Sequence, residues 1–350
     1  MNGYIYIAAS GTGGHLLPGI YIGKKIKSLS QYQVEFIGAG RPLEKLIDDA
    51  GFVRHIFKTS GVSGLGIKGM LKFLLFSPVT ITSLIRLYRM QKPLAVVGVG
   101  GYVSILPTLI GKLFGAKVWI HEAEKKFGLA NKVISLYADG VSSAFSKISD
   151  SNSKKIIFTG HPIREGLEKV IEKKEYKNPP KNILVLGGSQ GARALDQVMP
   201  EVCAKYNFSV VHQAREENVE VVKLAYKNLN VEAKVQSFIK DLNEYFIWAD
   251  IVVSRAGAGS VMELSVVGKP CIFVPFPFAA GGHQKDNAEE LVSAGKAFVV
   301  EEGEGFAERL KTAVESVMNE YERMFYAEFE PRSLKASELI SQNVIDLIAK

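Results

Sequence analysis

Two stretches about half a chain apart open in the same way, and this repetition limits the fold more than any other feature. Residues 4–9 form an apolar, β-rich run that ends in Gly11-Thr12-Gly13-Gly14, and the pattern turns helical near His15. Residues 182–186 repeat the plan with an apolar run, then Gly187-Gly188-Ser189-Gln190-Gly191, then a helix from Ala192. A buried strand that feeds a helix through a tight glycine turn begins a βαβ unit. Two such openings in 350 residues predict two α/β domains of similar plan. Hydrophobic residues, 47% of the chain, suffice for two cores.

Further apolar runs continue the pattern in each half. Strands are predicted at 34–37, 95–99, 117–120 and 156–158 in the first half. In the second half they are predicted at 209–212, 233–236, 251–254, 271–274 and 297–300. Helix-like segments separate most of them, so the sheets should be mainly parallel. The charged stretch 165–181 ends in Asn178-Pro179-Pro180 and reads as the linker between a domain at 1–164 and one at 182–332. A last helix, 333–350, is placed as returning to the first domain.

Ligands of parallel α/β sheets sit at the carboxyl ends of strands, where free amides at helix starts hold phosphate. Four glycine-rich turns offer such amides. The first, Ser10 to His15, is no dinucleotide fingerprint: the third glycine of G-x-G-x-x-G would fall at Leu16. The second strand also ends in Gly38-Ala39-Gly40, without an obvious acid for a ribose, so a nicotinamide enzyme fits poorly. The second turn is Gly98-Val99-Gly100-Gly101-Tyr102, and the third is Gly187 to Gly191. The fourth, Arg255 to Glu263, opens a helix whose amides could neutralise a diphosphate while Glu263 takes ribose hydroxyls. His15 is the candidate general base, since a near-neutral imidazole can take a proton from an attacking hydroxyl. The alternatives are a turn without a ligand and a histidine that only shapes its loop or binds phosphate. No Walker pattern and no clustered metal-ligand set appears, which leaves amides and helix ends to stabilise leaving-group charge.

At these turns the sequence resembles the MurG family, transferases that add N-acetylglucosamine to lipid I on the pathway to peptidoglycan. The matching segments are 10–18, 98–107, His121-Glu122 with 128–132, 160–164, 187–192, 255–263 and 283–288, in the family's order. The resemblance implies a GT-B fold: two Rossmann-like domains with mainly parallel sheets facing across a cleft. It implies UDP-GlcNAc as donor, an inverting transfer to the 4-hydroxyl of the muramyl sugar, and no tightly bound cofactor. Donor contacts would come from Thr12, Gly13, Gly14, Arg164, Ser189, Ile239, Ala258, Gly259, Ser260, Val261, Met262, Glu263 and Gln284. Gly13, Gly14, Gly100, Gly101 and Tyr102 would face the acceptor diphosphate, and His15 matches the proposed base. The chain departs from the family at His121-Glu122-Ala123-Glu124, where His-Glu-Gln-Asn is usual. Glu124 therefore stands at a donor-contact position with a charge that repels the diphosphate unless it turns to sugar hydroxyls or to Lys125.

The formal net charge is +7, which suits an anionic partner or a mildly basic surface. Residues 65–92 hold an apolar run, Leu71, Phe73, Leu74, Leu75 and Phe76, punctuated by Lys68, Lys72, Arg86 and Arg89. That composition suits an anionic membrane surface, or else an ordinary core helix pair with cations on its outer face. The resemblance favours peripheral binding at the cytoplasmic face of the bacterial cell membrane, next to a lipid-linked muramyl-pentapeptide acceptor, with no nucleic acid partner. No apolar stretch has the roughly 20 residues of a spanning helix, and no signal peptide is apparent. The two cysteines, Cys203 and Cys271, fit no zinc spacing and favour a reducing compartment. Competing expectations are another GT-B transferase with a lipid acceptor such as diacylglycerol, a UDP-GlcNAc epimerase, and a binding module for nucleotide sugars. An epimerase would bring extra acidic catalytic groups and no membrane patch.

Overall fold

The computed structural model of the protein describes residues 3–10, 13–57, 78–148, 156–188, 191–278, 283–329 and 331–350. It divides into two compact units, Met1–Arg164 with Arg332–Lys350, and Glu165–Pro331. The first unit carries β1 (Tyr4–Ala8), β2 (Gln33–Gly38), β3 (Val53–Ile56), β4 (Pro93–Gly98), β5 (Lys117–Glu122), β6 (Gly140–Ser143) and β7 (Ile156–Phe158). The second carries β8 (Asn182–Leu186), β9 (Ser209–Gln213), β10 (Ala233–Gln236), β11 (Ile251–Ser254), β12 (Cys271–Phe273) and β13 (Ala297–Val299). The sheet orders are β3-β2-β1-β4-β5-β6-β7 and β10-β9-β8-β11-β12-β13. The strand pairs are parallel throughout. Two Rossmann-like α/β domains are thus present, as the repeated opening predicts.

The order reverses between β1 and β4 in one sheet and between β8 and β11 in the other. Such switch points leave a crevice at the strands' carboxyl ends. The four glycine-rich turns follow these four strands, and Ala8 pairs with Gly98 while Leu186 pairs with Ser254. The central strands are apolar on both faces because helices cover both. In the first unit Ile5 and Ile7 face one core, with Leu16 and Ile20 of the helix Gly13–Leu29. Tyr6 faces the other, with Leu84 and Tyr88 of the helix Pro78–Met90. Each such apolar side chain contributes roughly 1.5–3 kcal/mol on full burial. In the second unit one continuous core joins Ile183, Val185, Leu195, Met199, Ile251, Ile272 and Leu310. Both cysteines are buried and free.

The C-terminal helix Ala336–Ala349 packs in the first unit on the helix Gly13–Leu29. Ile340 and Val344 enter its core, and the Ser341 hydroxyl donates to the Ile22 carbonyl at 3.3 Å. Gly160 (φ +78°) allows this return, because a Cβ there would lie 2.8 Å from the Ser333 nitrogen. The stretch 165–181 carries a short helix, Leu167–Glu172, whose Leu167 and Val170 are fully buried.

Two strands, β3 and β6, are absent from the sequence reading. β3 is an edge strand, Val-Arg-His-Ile, with Val53 and Ile56 exposed, so it lacks an apolar run. β6 is Gly-Val-Ser-Ser, fully buried yet built from small residues. The Trp119 ring fills the space where a Gly140 side chain would lie, with a Cζ3 to Cβ distance of 2.1 Å.

Candidate active site

In the first unit the turns after β1 and β4 meet at His15. The helix Gly13–Leu29 starts at the first turn and carries His15 in its opening turn. Gly100 (φ +102°) backs onto the imidazole, and a Cβ there would lie 2.5 Å from Cδ2 and 2.8 Å from Nε2 of His15. Glycine is therefore required at position 100 by both its backbone angle and the approach of the ring. Gly101 also takes positive φ, and the Ser104 hydroxyl fixes the turn on the carbonyls of Gly100 (2.8 Å) and Ala8 (3.1 Å). Tyr102 follows in a 3₁₀ turn and packs against the core cluster that includes Ile105 and Val118. The structure thus brings together His15, Gly100, Gly101 and Tyr102 with Gly13 and Gly14. Thr12 lies outside the described residues.

Behind this turn pair is a feature that sequence reading misses. His121, at the end of β5, and His161 are both buried, and their ring nitrogens Nε2 and Nδ1 are 3.0 Å apart. His121 Nδ1 also lies 3.1 Å from the Ser142 hydroxyl. Burial and repulsion from neighbouring imidazolium hold both rings neutral, His121 well below the usual histidine pKa and His161 down to about 3. His15 contributes to that repulsion, so the three rings accept protons in competition. Burial alone lowers the pKa of His15. His121 and His161 are 40 positions apart, so no local pattern signals their contact.

Glu122 is buried beside this pair. Its carboxylate accepts hydrogen bonds from the amides of Glu124 (3.0 Å) and Gly128 (2.9 Å) and from Asn131 Nδ2 (3.0 Å). Burial outweighs these bonds and, with the nearby charge of Glu124, raises its pKa to about 7. Glu122 thereby folds the segment that carries Glu124, which is half-buried. At the exit of β2 the place of a ribose-binding acid is taken by a side chain from further on. Buried Glu44 accepts from the amides of Ala39 (3.0 Å) and Gly40 (2.9 Å) and from the Ser10 hydroxyl (2.5 Å). The protein fills those amides itself, which is the physical reason a dinucleotide reading fails here.

The second unit presents main chain rather than bases. Gly188 (φ +78°) and Gly191 (φ +68°) turn the chain after β8, closed by Gly191 N–H donating to the Gly188 carbonyl at 3.1 Å. A Cβ at Gly187 would collide with the Ala192 nitrogen at 2.6 Å. Ser189 lies outside the described residues. After β11, Gly257 opens the helix Ala258–Val267, and no side chain caps that end. Ala258, Val261 and Met262 bury their side chains, whereas Gly259, Ser260 and Glu263 stay partly exposed. The side chains of the first three are thus kept for the core, the Val261 amide closes the helix on the Gly257 carbonyl at 3.0 Å, and only the amides before it, in the first turn, lack a helical acceptor. Arg255 ties the strand exits together, donating to the carbonyls of Val274 (3.1 Å) and Pro275 (3.2 Å) and pairing with Glu302 at 2.5 Å. Gln284 accepts the Phe276 amide at 2.8 Å, and Ile239 is buried just beyond β10. Arg164 is half-buried at the end of the first unit.

Among the described residues no cluster of His, Cys, Asp and Glu suits a metal, and no helix is long and apolar enough to cross a membrane. Of the expected membrane patch, Lys68, Leu71, Lys72, Phe73, Leu74, Leu75 and Phe76 lie outside the described residues. Arg86 and Arg89 are exposed on the helix Pro78–Met90, with Val79 and Met90 exposed at its ends.

The sequence matches the glycosyltransferase family 28 N-terminal domain over residues 5–143 and the glycosyltransferase family 28 C-terminal domain over residues 182–344. The chain belongs to glycosyltransferase family 28. It is 34% identical over 329 residues to the UDP-N-acetylglucosamine--N-acetylmuramyl-(pentapeptide) pyrophosphoryl-undecaprenol N-acetylglucosamine transferase of Stutzerimonas stutzeri (strain A1501), covering 93% of this chain and 92% of that one. The crystal structure of Acinetobacter baumannii MurG superposes with a TM-score of 0.76 at 27% identity, covering 99% of each chain. UDP-GlcNAc 2-epimerase from Neisseria meningitidis shares the fold, with a TM-score of 0.65 at 16% identity over 98% of this chain and all of that one. Membership of family 28 spans both units, so the glycine turns of each belong to one glycosyltransferase.

Proposed function

We propose that this family 28 enzyme transfers N-acetylglucosamine from UDP-GlcNAc to the 4-hydroxyl of the muramyl sugar of lipid I, with inversion. The observation that carries the reading is the identity with a named transferase of this reaction along nearly the whole chain. The site geometry is consistent with it. In the first unit, neutral His15 takes the proton of the attacking hydroxyl. The hydroxyl oxygen forms a bond to the anomeric carbon as the bond from that carbon to the diphosphate oxygen breaks, and UDP leaves with the electron pair. In the second unit, the uncapped amides of the helix Ala258–Val267 and the turn after β8 take the charge that grows on the diphosphate. Glu263 receives the ribose hydroxyls, Gln284 and the main chain of Ile239 complete the donor contacts, and Gly13, Gly14, Gly100, Gly101 and Tyr102 face the acceptor diphosphate.

Glu124, Arg164, Thr12 and Ser189 are proposed as further donor contacts. UDP-GlcNAc is a substrate in this reading, and no resident cofactor takes part. A lipid-linked acceptor places the enzyme peripherally at the cytoplasmic face of the cell membrane, with Arg86 and Arg89 toward anionic lipid. The test is transfer of labelled sugar from UDP-GlcNAc to a lipid I analogue. Formation of the β-linked disaccharide product is expected. Release of free sugar, or of a 2-epimer, without transfer would overturn the reading in favour of hydrolysis or epimerisation.

A further inference from the structure

We propose that Arg215 is a donor-recognition residue whose guanidinium meets the diphosphate of the nucleotide sugar. The proposal rests on the reading of the second unit as the UDP-GlcNAc side, and sheet order carries it further. The proposed donor contacts leave the carboxyl ends of β8, β10 and β11. In the order β10-β9-β8-β11, β9 lies inside that span, and its exit carries Ala214-Arg215. A ligand that reaches from Ile239 to the helix Ala258–Val267 must pass this exit. The exits of β9 and β10 are also joined, because the Ala214 amide donates to the Gln236 carbonyl at 3.1 Å.

Arg215 is held against the glycine turn. A Cβ at Gly191 would meet Arg215 Cγ at 2.4 Å, its Cα at 2.6 Å and its nitrogen at 2.7 Å. The Arg215 amide donates to Asp196 Oδ2 at 3.3 Å. That carboxylate is buried in turn, taking Asn218 Nδ2 at 2.7 Å and lying 3.3 Å from His212 Nε2. The backbone of Arg215 is therefore fixed by buried groups, while its side chain stays half-exposed.

The guanidinium is incompletely used. Its Nε is buried with no hydrogen-bond partner among the described residues. Its Nη2 pairs at 2.6 Å with Glu217, a side chain 61% exposed, and such a surface pair is worth little. A phosphate would offer the fork two strong acceptors in place of one exposed carboxylate. Glu217 is then the resting partner that the diphosphate displaces.

The test measures binding of UDP and of uridine by calorimetry to the whole enzyme and to Arg215→Gln, Arg215→Lys and Glu217→Gln, with melting temperatures as a folding control. Arg215→Gln is expected to weaken UDP about tenfold or more while leaving uridine unchanged. Arg215→Lys is expected to recover part of the loss, and Glu217→Gln, a surface change, to tighten UDP about two- to fivefold. Unchanged UDP affinity in Arg215→Gln and Glu217→Gln, or an equal loss for uridine, would overturn the proposal while leaving the donor side intact. If the unaltered enzyme fails to bind UDP at all, the donor reading fails and the role of Arg215 falls with it.

Discussion

The two units share a plan and a switch point, yet what they place there differs. Around the first switch point the structure gathers ionisable side chains: His15 on the glycine turn, His121 and His161 held neutral behind it, and Glu122 with its pKa raised to about 7. Around the second it presents amides of glycine turns and an uncapped helix start, braced by the Arg255–Glu302 pair at 2.5 Å. The second unit has a buried histidine too, His212, but Asp196, Tyr226 and the core enclose it completely. The contrast teaches that one fold presents ionisable side chains or main-chain amides at its switch point according to which residues follow its strands. In the proposed reaction the first unit performs the chemistry and the second holds the leaving group.

The contrast breaks most sharply at Gly100. Gly100→Ala forces a side chain into the His15 ring and strains a backbone angle of +102°. It should lower turnover on the order of a hundredfold by displacing the base, while donor affinity stays within a few-fold. Steady-state rates beside UDP-GlcNAc calorimetry decide this, and a change confined to affinity would break the division. The complementary change, Glu263→Ala, should raise the UDP-GlcNAc dissociation constant about tenfold with a smaller effect on single-turnover rate. The pH profile sharpens the assignment of the base. In the proposed reaction His15 works when neutral, and burial lowers its pKa from 6.5, so kcat/KM should fall only as pH drops below that value. A limb centred near 7 would point to Glu122 instead. The smallest expected effect is at the surface, where Arg89→Gln should weaken binding to anionic vesicles about fivefold. Equal binding by the variant would detach the helix Pro78–Met90 from the membrane reading.

The parallel sheets and their glycine turns were legible because buried parallel strands are continuous apolar runs, and tight exits demand glycine. β1, β8 and β11 show this plainly. β3 and β6 were not legible, since an edge strand with half-exposed residues and a strand of small residues under Trp119 lack that signature. The candidate site's geometry was legible where one loop carries it, as at the helix starts that hold His15 and Ala258. It was not legible where distant residues combine. Glu44 capping the exit of β2, His161 meeting His121, and Gly191 pressed against Arg215 each depend on contacts that no local pattern encodes.

His15→Ala tests the division of labour most directly, with donor binding by calorimetry and sugar transfer to a lipid I analogue measured on the same preparation. The account predicts an unchanged UDP-GlcNAc dissociation constant and a transfer rate lower by roughly 10²–10⁴-fold. Near-normal transfer by the variant, or loss of donor binding in step with the rate, would contradict it.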